Sequence, residues 1–280
     1  MTGNRPFRSL DDRIGNKVVD TALHDGMTPW LDGPLRSWLN HAFFLDGKVA
    51  ETVALCLRFP ATRTPDVSLW NCAADDLLKV VDATVQLHSG SPSDAIFTTC
   101  LDRLEEILER GNSVWRVDRE PRCLVRRVDE PVQAAIDQSV SAAPETAADH
   151  LGVAWAAAYG VSPDPDKAFN EAIRAVEEVA CPLIEERKAD RGGATLGTVM
   201  GELRNNSAHK WELALPNKNA APRDVGIVVE MMATLWDAQR SRHGGGSNSR
   251  RQTLEEAKAA AHLAALLVHW LSTGVLRRTP

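Results

Sequence analysis

Arginine and histidine side chains are concentrated in one short segment, residues 235–246. Arg240, Arg242 and His243 stand at the end of a predicted helix, directly before three consecutive glycines. An arginine guanidinium can bind phosphate oxygens through two hydrogen bonds, and a histidine can donate or accept a proton near neutral pH. These residue types therefore predict a site that binds a phosphate and transfers a proton.

The charge around this segment favours an anionic ligand. Four arginines (Arg240, Arg242, Arg250 and Arg251) lie between Gln239 and Gln252, with no acidic residue among them. The whole chain has a net charge of −6 and a pI of about 5.8, so any nucleic-acid contact must come from a local patch. We expect His243 to act as the acid or base, Arg240 and Arg242 to hold phosphate, and Gln239, Arg250 and Arg251 to bind RNA. The alternative is that these cations only offset the helix dipole, with Gly244 ending the helix.

Two further sets of residues are candidates for chemistry. Arg204 and His209 form a second arginine–histidine pair, which could equally belong to a polar loop after a short helix. His262 and His269 lie two turns apart on the predicted last helix. No Cys, Asp or Glu completes a metal-binding set with them, so we interpret them as core or interface residues. The sequence predicts neither a metal site nor a cofactor site, because the phosphate-loop, dinucleotide and zinc motifs are missing.

Composition places the chain among globular proteins. It has 280 residues, of which 44% are hydrophobic and 25% are charged. Five scattered cysteines without a C-x-x-C pair indicate reduced thiols, and we find no signal-peptide pattern and no apolar run long enough to span a bilayer. We therefore expect a cytoplasmic protein without a membrane partner.

Helical periodicity dominates, so we predict an all-α protein of two helical parts. In the first part, helices are expected over 10–22, 31–44, 47–57 and 67–87, with Ser91 or Ser93 capping a helix that Gly111 ends. Residues 114–117 and 124–128 predict a small β-hairpin. We expect an N-terminal domain over 1–130 with this hairpin at its end, and a second helical domain over 131–280.

The second part has clearer helix signals. Helices are predicted over 131–143 and 145–159, and the Pro-Asp-Pro-Asp run at 163–166 opens another that Pro182 should kink or end. A short helix over 195–203 precedes a polar loop to Pro222. The helix over 223–242 has a stripe at steps of three and four, namely Val225, Val229, Met232, Trp236, Gln239 and His243. Thr253-Leu-Glu-Glu is a capping box that opens the last helix.

Residues 147–276 resemble the C-terminal domain of abortive-infection proteins, within the broader HEPN superfamily. The resemblance rests on His150-Leu, Ala154-Trp155, Tyr159-Gly160, the run from Pro163 to Ala168, residues 172–177, Arg242-His-Gly244, and Glu256-Ala257. It implies a dimerising helical bundle, often a metal-independent ribonuclease in phage defence or in toxin–antitoxin pairs. The family motif is an arginine followed after four to six residues by a histidine, between the last two bundle helices.

The motif can be placed on this chain in two ways. Arg240 to His243 has the expected position but a shorter spacing, whereas Arg204 and His209 have the expected letters one helix earlier. Our leading hypothesis is an antiphage defence protein that cleaves or binds RNA without a metal, as a homodimer and with an antitoxin or defence-system partner. The alternative is a non-catalytic helical module for dimerisation or partner binding.

Overall fold

The computed structural model describes residues 22–60, 63–91, 94–190, 192–215, 225–239 and 250–279, and for residues 206–209 the backbone alone. Within these ranges the protein is all-α, as predicted, with twelve helices and two small two-stranded sheets. None of the described helices is long and apolar enough to cross a membrane. The chain forms two compact units, residues 1–116 and 117–280, so the division falls within the hairpin and earlier than the boundary at 130 that the sequence predicts.

The first unit contains five described helices. They are α1 (Pro29–Leu45), α2 (Val49–Cys56), α3 (Pro65–Trp70), α4 (Ala74–Leu87) and α5 (Ala95–Arg110). Leu35, Leu39, Leu77 and Leu104 are fully buried, and the indole of Trp38 on α1 donates to the carbonyl of Cys100 on α5 at 2.8 Å. The unit is therefore held by an apolar core and a buried polar contact between α1 and α5.

Two sequence predictions for the first unit were wrong. The helix expected over 67–87 is two helices, because the chain turns at Asn71–Cys72 between α3 and α4. Asp94, rather than Ser91 or Ser93, caps α5, since its carboxylate accepts from the backbone N–H of Ile96. Gly111 does end α5 as predicted. The helix predicted over 10–22 lies outside the described residues except for Ala22.

The hairpin was predicted correctly, and the other elements of the second unit follow it. Strands β1 (Trp115–Arg119) and β2 (Arg122–Arg126) pair with each other. The remaining elements are α6 (Glu130–Ala142), α7 (Glu145–Tyr159), α8 (Pro165–Ile184), α9 (Glu186–Ala189), α10 (Leu196–Lys210), β3 (Trp211–Leu213), α11 (Gly226–Asp237), α12 (Leu254–Ser272) and β4 (Leu276–Arg278).

Helix α8 is the centre of the second unit. It packs against α7, α10 and α12, and ten of its twenty residues are buried. Its apolar face, which includes Phe169, Ile173 and Val176, joins the same core cluster as Trp155 on α7 and Leu267 on α12. Asp164 caps the helix by accepting from the backbone N–H of Lys167 at 3.0 Å, with Pro165 in the first turn. The Pro-Asp-Pro-Asp signal is thus confirmed, and α8 ends two residues after Pro182.

Three features of the second unit differ from the sequence predictions. Helix α10 continues to Lys210 and is followed by β3, where a polar loop was expected. Strand β3 pairs antiparallel with β4, and neither strand was predicted. Helix α11 ends at Asp237, so Gln239 lies beyond the helix rather than on its stripe. Val225, Val229 and Met232 of that stripe are buried as expected.

Candidate functional site

The predicted catalytic residues Arg240, Arg242 and His243 lie outside the described residues, and so does Gly244. Both ends of their segment are described, at Gln239 and Arg250. The segment connects α11 to α12, which pack against each other. These two ends contact the surface of α8.

The two ends of the segment are bonded to each other. Gln252 is buried, with 4% of its surface exposed, and its side-chain amide donates to the backbone carbonyl of Ala238 at 2.8 Å. A buried amide that satisfies a backbone carbonyl holds the two chain ends at a fixed separation. The loop of residues 239–251 is consequently closed at its base.

Both ends are also bonded to the first turns of α8. The backbone N–H of Gln252 donates to Asp166 Oδ1 at 2.9 Å. On the other side, the side-chain amide of Gln239 donates to Asn170 Oδ1. Since Asp166 and Asn170 are four residues apart on one helix, they lie on the same face. The arginine- and histidine-rich segment therefore begins and ends at the N-terminal end of α8.

An open cavity of about 800 Å³ lies beside these anchors. Its charged lining side chains are Asp164, Asp166, Lys167, Glu171, Arg174 and Arg251. Each of the three carboxylates is already bonded, to Lys167 N–H, to Gln252 N–H, or to His150 and Arg174. The side chains of Lys167 and Arg251 are exposed and form no ion pair with any part of the described chain. Two cations are thus left to bind an anion in this cavity.

His150 and Glu171 form a hydrogen-bonded pair that was not predicted as a site, and Glu171 also lines the cavity. His150 Nδ1 on α7 lies 2.6 Å from Glu171 Oε2 on α8, and an Arg174 guanidinium nitrogen lies 3.1 Å from Glu171 Oε1. The exposed fraction is 29% for the His150 side chain and 14% for Glu171. Sequence periodicity could not predict the pair, because the contact depends on the antiparallel packing of two helices that residues 160–164 connect.

Arg250, which the sequence predicts to bind RNA, forms an ion pair with Glu256. Its guanidinium bonds both carboxylate oxygens of Glu256, at 2.9 Å and 2.5 Å. The Arg250 hydrogen bonds and the backbone N–H of Thr253 lower the pKa of Glu256 to about 2. Glu256 also completes the predicted capping box with Thr253. Arg250 therefore stabilises the first turn of α12, whereas Arg251 lines the cavity.

The second arginine–histidine pair lies within a helix rather than a loop. Arg204 is exposed on α10, and His209 belongs to the same helix, although its side chain is outside the described part. Residues five apart in an α-helix are turned about 140° from each other. The helical geometry therefore does not place this pair on one face.

His262 and His269 lie on α12, as predicted, at a groove between α6 and α12. His262 Nε2 is 2.8 Å from the Tyr159 hydroxyl oxygen, and the Trp155 ring contacts His262 edge-on. Burial lowers the pKa of His262 and raises that of Tyr159. Among the described residues, no group of three or more His, Cys, Asp or Glu side chains could hold a metal ion.

Comparison of the chain with protein-family models, with curated protein sequences and with solved structures found no significant match. The interpretation of the site therefore depends on its own geometry and chemistry.

Proposed function

We propose that the protein cleaves or binds RNA without a metal, through the arginine and histidine residues of the segment 240–243. In this proposal His243 transfers a proton, Arg240 and Arg242 bind phosphate, and Gln239 and Arg251 fix the RNA beside them. Arg250 supports the site by holding the start of α12. The biological setting we propose is an abortive-infection or toxin-type antiphage defence protein.

The observation that carries this proposal is the anchoring of the segment at both ends. Gln252 and Gln239 hold its ends to Asp166 and Asn170, next to a cavity in which Lys167 and Arg251 are unpaired within the described chain. Cations around a cavity of this size can neutralise phosphate oxygens. Because the two ends of the segment are held in place, ligand binding would cost less conformational entropy. A histidine in such a segment is suited to acid–base cleavage of RNA.

A cleavage assay tests the proposal. Purified full-length protein is incubated with single-stranded RNA in excess chelator, in parallel with His243→Ala and His209→Ala. We expect cleavage by the wild type and by His209→Ala, and a loss of about 10²–10⁴-fold in His243→Ala. The reverse pattern for the two variants would assign the site to α10, and no chelator-resistant cleavage by the wild type would refute the enzyme.

Binding is tested separately with RNA whose 2′-hydroxyls are methylated, so that it cannot be cleaved. We expect Arg251→Ala to weaken binding and to reduce its salt dependence, because one phosphate contact is lost. Lys79→Ala removes an exposed cation of the first unit and is the matched control. Equal binding by the two variants would remove Arg251 from the RNA site.

The groove between α6 and α12 favours a second candidate function, a non-catalytic module that dimerises or binds a partner. Its volume is about 400 Å³, and its apolar lining residues include Val132, Ile136, Ala265 and Leu266. Leu266 is 42% exposed and therefore offers apolar surface to a partner. If this groove is a dimer interface, Leu266→Glu should convert a dimer to a monomer, which light scattering measures. RNA cleavage should not change if all residues of the site belong to one chain.

A further inference from the structure

A cavity of about 500 Å³ lies between α1 and α3 of the first unit. Its polar and aromatic lining residues are Ser37, Asn40, Asp66, Trp70 and Asn71. We propose that this cavity binds an arginine side chain of a partner polypeptide. The inference goes beyond the proposed RNA site, whose residues belong to the second unit.

Asp66 gives this cavity a negative charge that no neighbouring cation compensates. It is the one charged side chain among the described residues that line the cavity. Its carboxylate is exposed and forms no hydrogen bond or ion pair with the described part of the chain. Arg63 lines a neighbouring cavity, but no ion pair joins it to Asp66. The charge of the cavity therefore favours a cation and disfavours a phosphate.

The cation that joins α1 to α3 is already engaged. The guanidinium of Arg36 bonds both carboxylate oxygens of Asp32, at 2.8 Å and 3.0 Å. Arg36 also donates to the backbone carbonyls of Trp70 and Cys72. Arg36 thus holds the end of α3 against α1, and it has no nitrogen left to neutralise Asp66. A cation for Asp66 has to come from a partner.

Trp70 supplies a surface on which a planar cation can stack. It is 42% exposed and follows Asp66 by four residues on α3, so the two side chains lie on one face of the helix. Its ring makes no aromatic or cation–π contact within the described part of the chain. The face of an indole attracts a cation, and arginine is the side chain that most often takes this position.

The other acceptors favour a guanidinium over an ammonium. Asn71 donates through Nδ2 to the carbonyl of Val67 at 2.8 Å, so its Oδ1 is left as an acceptor. A guanidinium carries its N–H donors in one plane and can bond both oxygens of Asp66 while it lies against Trp70. An ammonium has no flat face and is more strongly hydrated. The geometry therefore fits arginine better than lysine.

Exposed apolar surface around the cavity indicates that the arginine belongs to a polypeptide. Val67 lines the cavity and is 50% exposed. Phe44 is 85% exposed and lines the neighbouring cavity, which shares Asn40 and Asp66 with the first. At Gly33 no atom would lie within 4 Å of an added Cβ, so α1 leaves room for a chain beside it. Tryptophan and arginine are enriched at the centres of protein interfaces, with less important contacts around them.

A purely local role for Asp66 is the competing explanation, and α4 supplies a matched control. An acidic residue in the first turn of a helix offsets the helix dipole. Asp66 is the second residue of α3 and Asp75 is the second residue of α4, and both are exposed. Four residues after Asp75 the chain has Lys79 rather than a tryptophan. If Asp66 only offsets the dipole, Asp66→Asn and Asp75→Asn should bind a partner equally well.

The first experiment measures binding of a fluorescently labelled peptide of Arg-Gly-Gly repeats to the full-length protein by anisotropy. We expect Asp66→Asn and Trp70→Leu each to weaken binding by about 2–5-fold and Asp75→Asn to leave it unchanged. A peptide with citrulline, the uncharged isostere of arginine, should bind more weakly than either the arginine or the lysine peptide. Far-UV circular dichroism checks that each variant is folded. Equal affinities of Asp66→Asn and Asp75→Asn, or of the arginine and citrulline peptides, would overturn the inference even if Trp70→Leu did not fold.

The second experiment locates the peptide on the protein. Labelling the eight tryptophans with ¹⁵N gives one indole N–H signal for each, and the Trp70 signal is the one that Trp70→Leu lacks. The arginine peptide should shift this signal more than any other, and Asp66→Asn should reduce the shift. A larger shift at another tryptophan, or an equal shift with the lysine peptide, would overturn the assignment of the cavity to arginine. Neither experiment involves RNA cleavage, so the inference and the proposed function can fail separately.

Discussion

His150 and His262 both belong to the second unit, and each makes one side-chain hydrogen bond across a pair of helices. His150 joins α7 to α8 through the carboxylate of Glu171, and His262 joins α12 to α7 through the Tyr159 hydroxyl. Beyond Glu171, the neighbour of the first pair is the cation Arg174. The neighbour of the second pair is the ring of Trp155, which stacks on Tyr159 with centroids 4.3 Å apart.

The difference between these surroundings separates a histidine in a partly exposed polar contact from one packed against aromatic rings. A carboxylate partner stabilises an imidazolium, whereas burial beside aromatic rings disfavours it and lowers the pKa of His262. We therefore expect substitutions around His262 to lower stability more than substitutions around His150.

The largest expected effect is that of Trp155→Ala on stability. Trp155 is 2% exposed and contacts both Tyr159 and His262, so its removal leaves a cavity that should cost about 3–5 kcal/mol. His150→Ala removes a partly exposed pair and should cost about 1 kcal/mol or less. Urea unfolding followed by circular dichroism measures both. Comparable losses in the two variants would contradict the separation.

Tyr159→Phe should have a smaller effect of about 1 kcal/mol. The substitution keeps the stacked ring and removes only the hydroxyl 2.8 Å from His262 Nε2. Thermal unfolding of Tyr159→Phe, His262→Gln and the double variant forms a cycle that isolates this hydrogen bond. If the two single effects add in the double variant, the contact does not couple the residues.

The pH dependence of stability should distinguish His262 from other groups. Its folded-state pKa is lowered from 6.5, so the unfolded chain binds the proton at a higher pH than the folded protein does. Stability is therefore complete above pH 6.5, decreases as the pH falls below 6.5, and stops decreasing below the folded-state pKa. Urea unfolding between pH 5 and pH 8 should show this slope in the wild type and a weaker one in His262→Gln. An unchanged slope in that variant would exclude His262 as its source.

Local sequence signals predicted much of this fold but only part of the site. The caps at Asp164 and Thr253, the stop at Gly111 and the hairpin were all predicted because each depends on residues close in sequence. The strands β3 and β4 were missed because Trp211 pairs with Arg278 across 66 intervening residues. The end of α11 at Asp237 was not predicted, because residues at helical spacing continue in the sequence beyond the last helical residue.

The His150–Glu171 pair could not be found in this way for the same physical reason. Its two members are 21 residues apart, and their contact depends on how α7 packs against α8. The sequence did identify Gln239 as partly buried but attributed this to a helical stripe. Its side chain instead bonds Asn170 from beyond the helix end. Residue types along the chain thus identified the segment 239–252 as a candidate. Its contacts with α8 depend on tertiary packing and could not be predicted in this way.

The smallest expected effects on stability come from removing the cation that contacts the partner of each histidine. Lys258 Nζ lies 5.1 Å from the centroid of the Tyr159 ring, and a partly exposed cation of this kind contributes about 0.5–1 kcal/mol. The Arg174 side chain is 60% exposed, so its ion pair with Glu171 should contribute less than about 0.5 kcal/mol. Lys258→Gln should therefore lower the unfolding free energy slightly more than Arg174→Gln. Urea unfolding of the two variants measures both effects, and a larger loss of unfolding free energy in Arg174→Gln would contradict this order.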